Sequence, residues 1–473
     1  MAASDLEARL AAVQAGGQFS PGALARFAEH LRAAPEEQLY RMSPLRYAVT
    51  AGLDERTAID LFLHATHAGV LEFSWGVLCP ACASFLTTAA GLRSLAREQR
   101  CNLCQIPVAG LLDDNVEVAF TASPSVRHLR FHEPEALDVG RDGFAVLFSS
   151  SLGQDSLLRR FIGEKTIWSG RVARGESQTV AISLAPGRYV LLSPANHAAL
   201  HFEAVQGGAR ELRAELLEDR AVPEQGRVGA GRAVLSLQNR ARHAALLLLF
   251  PDPLPPPEER HCAAPPAHTL RPYLTGKRLL TSQVFRELFR AESIPSEGGL
   301  ELKSLTLLFT DLKSSTEMYE RIGDLRAFDL VRQHFDSLRE AVAAHGGAVV
   351  KTIGDAIMAS FAEPQPALEA AVAMNRALGR LGGREELVLK IGLHAGPCIA
   401  VELNDRLDYF GRTVNLAARV QGLAEAREIV CTAETYAAPG VEAASLAAGL
   451  APRREAARMK GIAEAIPVVR LRA

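Results

Sequence analysis

The sequence contains no apolar run long enough to cross a membrane. A transmembrane helix needs about 18 or more consecutive apolar residues, whereas the strongest run, Ala244–Phe250, has the length of a buried strand. The N-terminus, MAASDLEARL, carries acidic residues where a secretory signal has basic residues and an apolar core. We therefore expect a soluble, cytoplasmic protein without a membrane span.

Neither sign of charge is in excess, and cysteine is scarce. The sequence has 52 Lys and Arg residues and 54 Asp and Glu residues. The resulting net charge of −2 provides no overall field that would hold nucleic acid or an anionic membrane. Seven cysteines in 473 residues do not indicate a disulfide framework. A hydrophobic fraction of 48% excludes a mostly disordered chain. At roughly 150 residues per domain, the length predicts about three domains.

Changes along the sequence predict four regions. Residues 1–114 are predicted to form a helical, winged-helix-like unit with a zinc ribbon, residues 115–250 a β-sandwich, and residues 301–473 an α+β domain. Residues 251–300 form a linker and coupling helix. Pro251–Pro272 holds eight of the 25 prolines, which cannot donate to helix or sheet ladders. The following TSQVFRELFR predicts a helix of about three turns.

Periodicity predicts the elements of the N-terminal half. DERTAIDLFLHATHA has one apolar face and ends at Gly69, which indicates an amphipathic helix. LEFSW alternates as a short strand. Further strands are predicted at VEVAF, FAVLFSS, TVAISLAPGRYVLL and RAVLSL, with a hairpin at Ala-Pro-Gly, residues 185–187.

The C-terminal region predicts a largely antiparallel sheet with helices. KSLTLLFTD reads as a strand, and Asp324 as the cap of a helix with an apolar stripe. AVVKTIGDAIMASF reads as two strands around a tight turn, and VLKIGLHAGPCIAV as two strands around Gly396–Pro397. The predicted stripe consists of Leu325, Phe328, Val331, Phe335, Leu338 and Val342.

Four cysteines form two Cys-x-x-Cys pairs, Cys79 with Cys82 and Cys101 with Cys104, separated by 18 residues. This spacing fits a four-cysteine structural zinc site. The alternative is two redox-active or buried cysteine pairs. A closed four-cysteine site would support folding rather than catalysis. Nucleic-acid binding is disfavoured, because residues 54–76 lack a run of Lys and Arg for phosphate contacts.

Two carboxylates stand where they can share a site. Asp311 ends the strand LTLLFT and Asp355 lies in the turn of KTIGDA, so both can converge over a sheet edge and hold two divalent ions. Either aspartate alone is better explained as a turn or cap residue. The segment after Asp311 leads into a helix whose backbone N–H groups suit a polyphosphate. The candidate substrate-binding residues of that segment are Leu312, Ser314, Ser315 and Thr316.

Three segments in order, FTDLKSST, KTIGDAIMASF and DYFGRTVNLAAR, resemble the class III nucleotidyl cyclase domain. The resemblance covers about Leu302 to the C-terminus and implies a ferredoxin-like central antiparallel sheet with helices. It implies that Asp311 and Asp355 bind two Mg²⁺ or Mn²⁺ ions. The region from about 40 to 130 also resembles an uncharacterised N-terminal region found upstream of some bacterial cyclase domains.

The same resemblance implies roles for residues of the later segments. Lys351 and Asp408 match the pair that reads the purine. Asn415, four residues before Arg419 and on the same helical face, matches the residue that orients the ribose, and Arg419 matches the one that stabilises the transition state. Lys460 resembles the late phosphate-binding lysine of the family, although an ordinary surface lysine would look the same.

Hydrogen-bond polarity predicts ATP rather than GTP as the substrate. Adenine offers an acceptor at N1 and a donor at its 6-amino group, which complement a Lys351 donor and an Asp408 acceptor. Guanine reverses both, which would leave polar groups unpaired. Lys351 and Asp355 are only four residues apart, and the resemblance implies that sites form between two chains of a homodimer.

We therefore expect an adenylyl cyclase that makes cyclic AMP and is regulated by its N-terminal modules. The alternatives are a guanylyl cyclase and a non-catalytic, nucleotide-binding zinc-ribbon scaffold. The sequence leaves the input signal open.

Overall fold

The chain divides into two compact units in the computed structural model. One comprises Met1–Gly110 and Asp114–Leu274, and the other Leu111–Asp113 and Thr275–Ala473. The structure describes residues 3–472, except 96–97, 102–103, 105, 134–136, 153–156, 194–197, 253–270, 291–298, 314, 382–386, 404–405 and 463. Most of the predicted proline-rich spacer therefore lies outside the described residues. No helix within this described part is both long and apolar enough to span a bilayer.

The first unit begins with five helices. Asp54 caps the fifth, because its side chain accepts a hydrogen bond from the Thr57 backbone N–H at 2.9 Å. The predicted amphipathic helix at this position is confirmed, and its Phe62 is fully buried. The helices are α1 (Ala3–Gly16), α2 (Pro21–Ala33), α3 (Glu36–Leu39), α4 (Pro44–Ala51) and α5 (Glu55–His67).

Five strands follow, β1 (Leu71–Leu78), β2 (Phe85–Ala89), β3 (Glu98–Cys101), β4 (Ile106–Ala109) and β5 (Val116–Ala122). Three of them form a sheet of order β2-β1-β5, and β3 pairs with β4 as a separate hairpin. The strand LEFSW is confirmed as part of β1. VEVAF is also a strand, but it pairs with β1 and not with the later strands.

In the described residues, the rest of this unit contains the α-helices α6 and α7 and two sheets. One sheet has the order β11-β10-β13-β7 and the other β12-β9-β8-β14-β6, and buried side chains of both form one hydrophobic cluster. The elements are α6 (Val139–Leu147), α7 (Leu157–Lys165), β6 (Trp168–Val172), β7 (Ser177–Leu184), β8 (Gly187–Ser193), β9 (Ala198–Val205), β10 (Glu211–Leu216), β11 (Ala221–Val222), β12 (Gln225–Gly229), β13 (Gly231–Asn239) and β14 (Ala245–Pro251).

Two predictions in this region are wrong. Most of FAVLFSS belongs to helix α6, because Asp138 caps that helix by accepting a hydrogen bond from the Arg141 backbone N–H at 2.7 Å. The Ala-Pro-Gly turn does not join a hairpin: β7 pairs with β13, whereas β8 pairs with β9 and β14. Local alternation predicts that a strand exists but not which strand it pairs with.

The second unit contains the predicted α+β domain. Its sheet has the order β16-β17-β15-β18-β20-β22-β21, with β19 paired to β18. The pairs are antiparallel except β18 with β20. The elements are α8 (Gly276–Leu280), α9 (Gln283–Leu288), β15 (Leu300–Leu312), α10 (Ser315–Ile322), α11 (Asp324–Ala344), β16 (Ala348–Ile353), β17 (Ala356–Phe361), α12 (Pro364–Leu381), β18 (Leu389–Leu403), β19 (Arg406–Phe410), α13 (Arg412–Gln421), β20 (Ile429–Thr432), α14 (Ala433–Tyr436), α15 (Val441–Ala447), β21 (Ala451–Ala457) and β22 (Ile466–Arg472).

Three predictions in the second unit need correction. The helix expected over TSQVFRELFR is shorter than three turns: it is α9 alone, which begins after its cap Ser282 and ends at Leu288. VLKIGLHAGPCIAV lies on one continuous strand, β18; an irregular register opposite β15 accommodates Pro397, which has no N–H for the ladder. In α11, Leu338 and Val342 are buried as predicted, but Leu325 and Phe328 are 79% and 63% exposed.

Candidate active site and cysteine cluster

Asp311 and Asp355 lie at the same end of neighbouring strands. The β15–β17 register pairs Phe309 with Met358, and the same antiparallel register continued two residues further sets Asp311 beside Ala356. Asp355 precedes Ala356 in the two-residue turn that joins β16 to β17. The structure therefore places the two predicted carboxylates on one sheet edge.

Asp355 has a carboxylate oxygen that suits a cation. Its Oδ2 is inaccessible to solvent and has no hydrogen-bond partner within the described part of the chain. A buried carboxylate oxygen without a partner is unfavourable, and a divalent ion would relieve that cost, so the residues fit the implied metal. The buried His334 lies behind the turn, where its Nε2 is 3.3 Å from the Asp355 carbonyl oxygen. Burial lowers the pKa of His334 to about 4.

Lys390 is a residue of this site that was not predicted from the sequence. This residue of β18 is the register partner of Asp311, and its Nζ lies 2.5 Å from Asp311 Oδ2. Lys390 thus places a positive charge directly at the candidate metal-binding edge. Only the β15–β18 register reveals it, because a lysine on a strand carries no local signal of its own.

Lys351 and Asp408 are brought together across 57 residues of sequence. Lys351 Nζ donates to Asp408 Oδ2 at 2.5 Å, and the other carboxylate oxygen accepts from the Tyr409 backbone N–H at 2.8 Å. Asp408 is buried, whereas Lys351 is only partly buried. One hydrogen-bond donor therefore stands beside one acceptor, joined by a direct hydrogen bond.

Asn415 and Arg419 lie on the exposed face of α13. The opposite face buries Thr413, Ala417 and Val420, so the helix is held by its apolar side and presents both polar side chains outward.

The last candidate, Lys460, is exposed in the turn after β21. The adjoining Gly461 has a φ of +77°, and a Cβ built there would lie 3.2 Å from Arg419 Nη2. The structure thus brings the guanidinium of Arg419 to the Lys460–Gly461 turn, 41 residues further along the chain.

The segment after Asp311 is only partly described. Leu312 ends β15 with a buried side chain, and the Lys313 backbone N–H donates to the Val388 carbonyl at 2.9 Å. Ser314 lies outside the described residues. Ser315 and Thr316 are the first residues of α10, in agreement with the prediction that this segment leads into a helix.

The four predicted cysteines form one buried cluster in the first unit. Their Sγ atoms all lie within 4.8 Å of one another. The Sγ atoms of Cys82 and Cys101 are 3.8 Å apart, close to the edge of about 3.8 Å that a tetrahedron with zinc–sulfur bonds of about 2.3 Å would have. The hydroxyl of Ser84 lies 3.1 Å from Cys82 Sγ. A hydrogen bond from Cys104, with further ones from Cys79 and Cys82, holds the pKa of the Cys101 thiol well below its usual value.

Comparison with known families accounts for both halves of the chain. Residues 3–287 match the model described as "Family of unknown function (DUF5939)". The chain belongs to this family. Residues 300–449 match the adenylate and guanylate cyclase catalytic domain, so the DUF5939 region precedes a class III nucleotide cyclase domain.

Individual relatives match a part of this DUF5939 protein. The chain is 29% identical over 185 residues to an adenylate cyclase of Lachancea kluyveri, covering 34% of this chain and 10% of that protein. It is 30% identical over 142 residues to an adenylate cyclase of Anabaena cylindrica, covering 27% and 28%. The matches thus span less than a third of these two relatives. A crystal structure of the adenylyl cyclase CyaB from P. aeruginosa is 24% identical, with a TM-score of 0.31, covering 36% of this chain and 94% of that one.

Proposed function

We propose that the chain is an adenylyl cyclase that converts ATP to cyclic AMP and pyrophosphate. The Lys351–Asp408 pair carries this proposal, because it fixes a donor 2.5 Å from an acceptor. When a base replaces the hydrogen bond between the two side chains, Lys351 donates to adenine N1 and Asp408 accepts from the 6-amino group. Guanine would present a donor to Lys351 and an acceptor to Asp408, and would leave both pairs unsatisfied.

The reaction forms one bond and breaks one. The ribose 3′-hydroxyl gives its proton to water and its oxygen bonds to the α-phosphorus, while the bond from that phosphorus to the bridging oxygen breaks and pyrophosphate leaves. Asp311 and Asp355 would hold two Mg²⁺ or Mn²⁺ ions, which lower the pKa of the attacking hydroxyl and offset the leaving-group charge. Backbone N–H groups of Leu312, Ser314, Ser315 and Thr316 would bind the phosphates, in the manner of a helix N-terminus.

The remaining candidates act on the ribose and the phosphates. Asn415 would orient the ribose through its amide. Arg419, one turn further along α13, offers a guanidinium that stays protonated and matches charge developing at the α-phosphate. Lys460 adjoins the glycine beside that guanidinium, where it would bind phosphate oxygens.

A double substitution tests the base-reading role. Lys351→Asp combined with Asp408→Lys reverses the polarity of the pair and keeps the net charge. We expect the ratio of kcat/KM for ATP to that for GTP to fall by about 10²-fold or more. The matched control is Glu203→Arg with Arg227→Glu, an exposed ion pair between β9 and β12 at 3.3 Å, which should keep the ratio of the unsubstituted chain. An unchanged ratio in the first variant would remove the role assigned to Lys351 and Asp408.

We further propose that the active species is a head-to-tail homodimer whose sites combine residues of both chains. In this arrangement one chain supplies Asp311 and Asp355, and its partner supplies the base-reading pair with Asn415 and Arg419. Exposed apolar side chains border the base-reading strands and support a partner surface: Ile353 ends β16 and Phe410 ends β19, 49% and 65% exposed.

Mixing two inactive variants tests the shared site. Asp311→Ala and Arg419→Ala chains should each be inactive as homodimers. When they reassort at random, half of the dimers are mixed and each mixed dimer has one intact site of two, so about a quarter of the full activity should return. The control is a mixture of Asp311→Ala with Asp355→Ala, which should stay inactive because both defects fall on the same half-site. Equal recovery in both mixtures would contradict the shared arrangement.

The cysteine cluster supports a separate proposal, a structural zinc ribbon built from the two cysteine turns and the β3–β4 hairpin. We expect one zinc per chain by elemental analysis, lost in Cys101→Ser and retained in Cys398→Ser, a buried cysteine outside the cluster. Chelation should loosen the β2-β1-β5 sheet and leave the cyclase domain folded, as amide exchange would show. A chain free of zinc, with four reduced thiols and the same exchange pattern, would favour simple buried cysteines.

We interpret the helices before β1 as a winged-helix-like unit and the two later sheets as a β-sandwich, and propose that these modules regulate turnover. The segment Leu111–Asp113, within the DUF5939 region, supports this proposal because it belongs to the cyclase unit. Asp113 accepts from the Lys303 backbone N–H at 2.7 Å and lies 3.0 Å from Lys277 Nζ. Comparing turnover of the chain with Asp113→Ala to that of the unsubstituted chain tests it; equal rates and equal ligand responses would argue against regulation through this segment.

A further inference from the structure

Both strands that carry the base-reading pair lie at open sheet positions. Among the described residues, β16 is the first strand of the sheet order and β19 pairs with β18 alone. In that part of the chain, neither Lys351 nor Asp408 is held by strands on both sides. Contacts other than strand pairing must therefore fix the distance between Lys351 and Asp408, because a displacement of about 1 Å can reduce catalysis by about 10²-fold.

Helix α9 contacts both of these strands. The Gln283 side-chain oxygen accepts a hydrogen bond from the Val349 backbone N–H at 2.8 Å, two residues before Lys351 and at the position where the β16–β17 register shifts. This interaction uses a backbone donor at the irregular point of the strand. It ties the α9 N-terminus to the strand that carries Lys351.

Arg286 of the same helix contacts the residues on both sides of Asp408. Its Nη1 donates to the Leu407 carbonyl at 2.9 Å, and its guanidinium carbon lies 5.2 Å from the centre of the Tyr409 ring. Its Nε donates to the Leu280 carbonyl at 3.0 Å, which also lies 3.4 Å from the Tyr409 hydroxyl. A planar guanidinium can make these contacts together, whereas a lysine ammonium cannot.

We propose that Gln283 and Arg286 are positioning residues that set the separation of Lys351 and Asp408 and thereby the choice of base. The inference rests on the proposed function, since it assigns base reading to that pair. Both residues fall within 3–287, the range of the DUF5939 family. The last helix of this family region would therefore determine the specificity of the cyclase domain that follows it.

Two substitutions in the full-length chain test this inference. Arg286→Lys keeps the positive charge and loses the planar contacts, and Gln283→Ala removes the acceptor for Val349. For Arg286→Lys we expect the ATP to GTP ratio of kcat/KM to fall about tenfold, mainly through a higher KM for ATP. For Gln283→Ala we expect a smaller change, about threefold, because one hydrogen bond is lost.

The matched control is Arg376→Lys in α12. Arg376 also donates to a backbone carbonyl, that of Ala448 at 3.3 Å, but it contacts neither base-reading strand in the described part of the chain. This variant should keep the ratio of the unsubstituted chain. A merely structural role of Arg286 would lower the unfolding temperature and leave the nucleotide ratio unchanged.

Amide exchange separates the inference from the proposed function. Arg286→Lys should speed exchange of the β19 amides, and Arg376→Lys should not. If the unsubstituted chain prefers ATP and both α9 variants keep that preference, the inference is overturned and the proposed function stands. If the unsubstituted chain shows no preference for ATP, the proposed function fails and takes the specificity role with it, whatever the exchange data show.

Discussion

Gly392→Ala tests how the strand β18 positions α13, the helix that carries the proposed catalytic residues. A Cβ at this position would lie 2.2 Å from the backbone nitrogen of Gln421 and 2.3 Å from its Cα. Carbon atoms in contact sit about 3.5–4.0 Å apart, so the end of α13 must move by more than about 1 Å. That helix carries Asn415 and Arg419, and a displacement of this size costs about 10²-fold in turnover.

The assay is cyclic nucleotide formation by the purified chain, together with its thermal unfolding. We expect turnover to fall by about 10²-fold and the free energy of unfolding by about 1–3 kcal/mol, the usual cost of overpacking. Gly163→Ala is the control, because that glycine lies in α7 and a Cβ there meets nothing within 4 Å. If Gly392→Ala folds and keeps normal turnover, turnover does not depend on the observed position of α13 against β18. The roles assigned to Asn415 and Arg419 are then refuted.

Three further predictions follow from single residues. Asp355→Asn removes the charge of the buried oxygen without changing the shape of the side chain. Turnover should fall by about 10²-fold or more while the free energy of unfolding is unchanged. Retained turnover with normal Mn²⁺ dependence would exclude Asp355 as a ligand. Phe410→Glu should convert the dimer to monomer in sedimentation, whereas Leu446→Glu, 59% exposed on α15, should not; a dimer in both would exclude the β19 end as the interface. Burial lowers the pKa of His394 from 6.5 to about 4, so only the unfolded chain takes up a proton as pH falls through that range. The free energy of unfolding should then decrease by up to about 1.4 kcal/mol per pH unit, and His394→Gln should flatten this slope in urea titrations at pH 7, 6 and 5; equal slopes would contradict it.

The sequence predicted those helices and turns whose boundaries are set by residues a few positions away. The helix capped by Asp54 and the hairpin around Gly354–Asp355 were both predictable, because a cap and a two-residue turn are encoded within a few residues. FAVLFSS was predicted wrongly as a strand: its apolar run fits either structure, and the cap that decides, Asp138, lies outside it.

The pairing between residues that are distant in the sequence could not be predicted from the sequence. Lys390 became visible as a site residue only because β18 pairs it with Asp311. Nothing local distinguishes Gln283 and Arg286 from other polar residues of a short helix, since their partners lie 66 and 121 residues away. The exposed Leu325 and Phe328 continue the apolar period of α11 beyond the part of the helix that the core covers, and periodicity alone does not show where the covering elements end.

The central claim is that Lys351 and Asp408 select adenine. The most direct measurement is cyclic nucleotide formation by the purified full-length chain, with ATP or GTP and with Mg²⁺ or Mn²⁺, and with Asp311→Ala as the inactive control. We expect cyclic AMP as the main product, at a kcat/KM for ATP at least about tenfold above that for GTP. Cyclic GMP as the main product would contradict it, and no product from a chain shown to be dimeric would favour a nucleotide-binding scaffold.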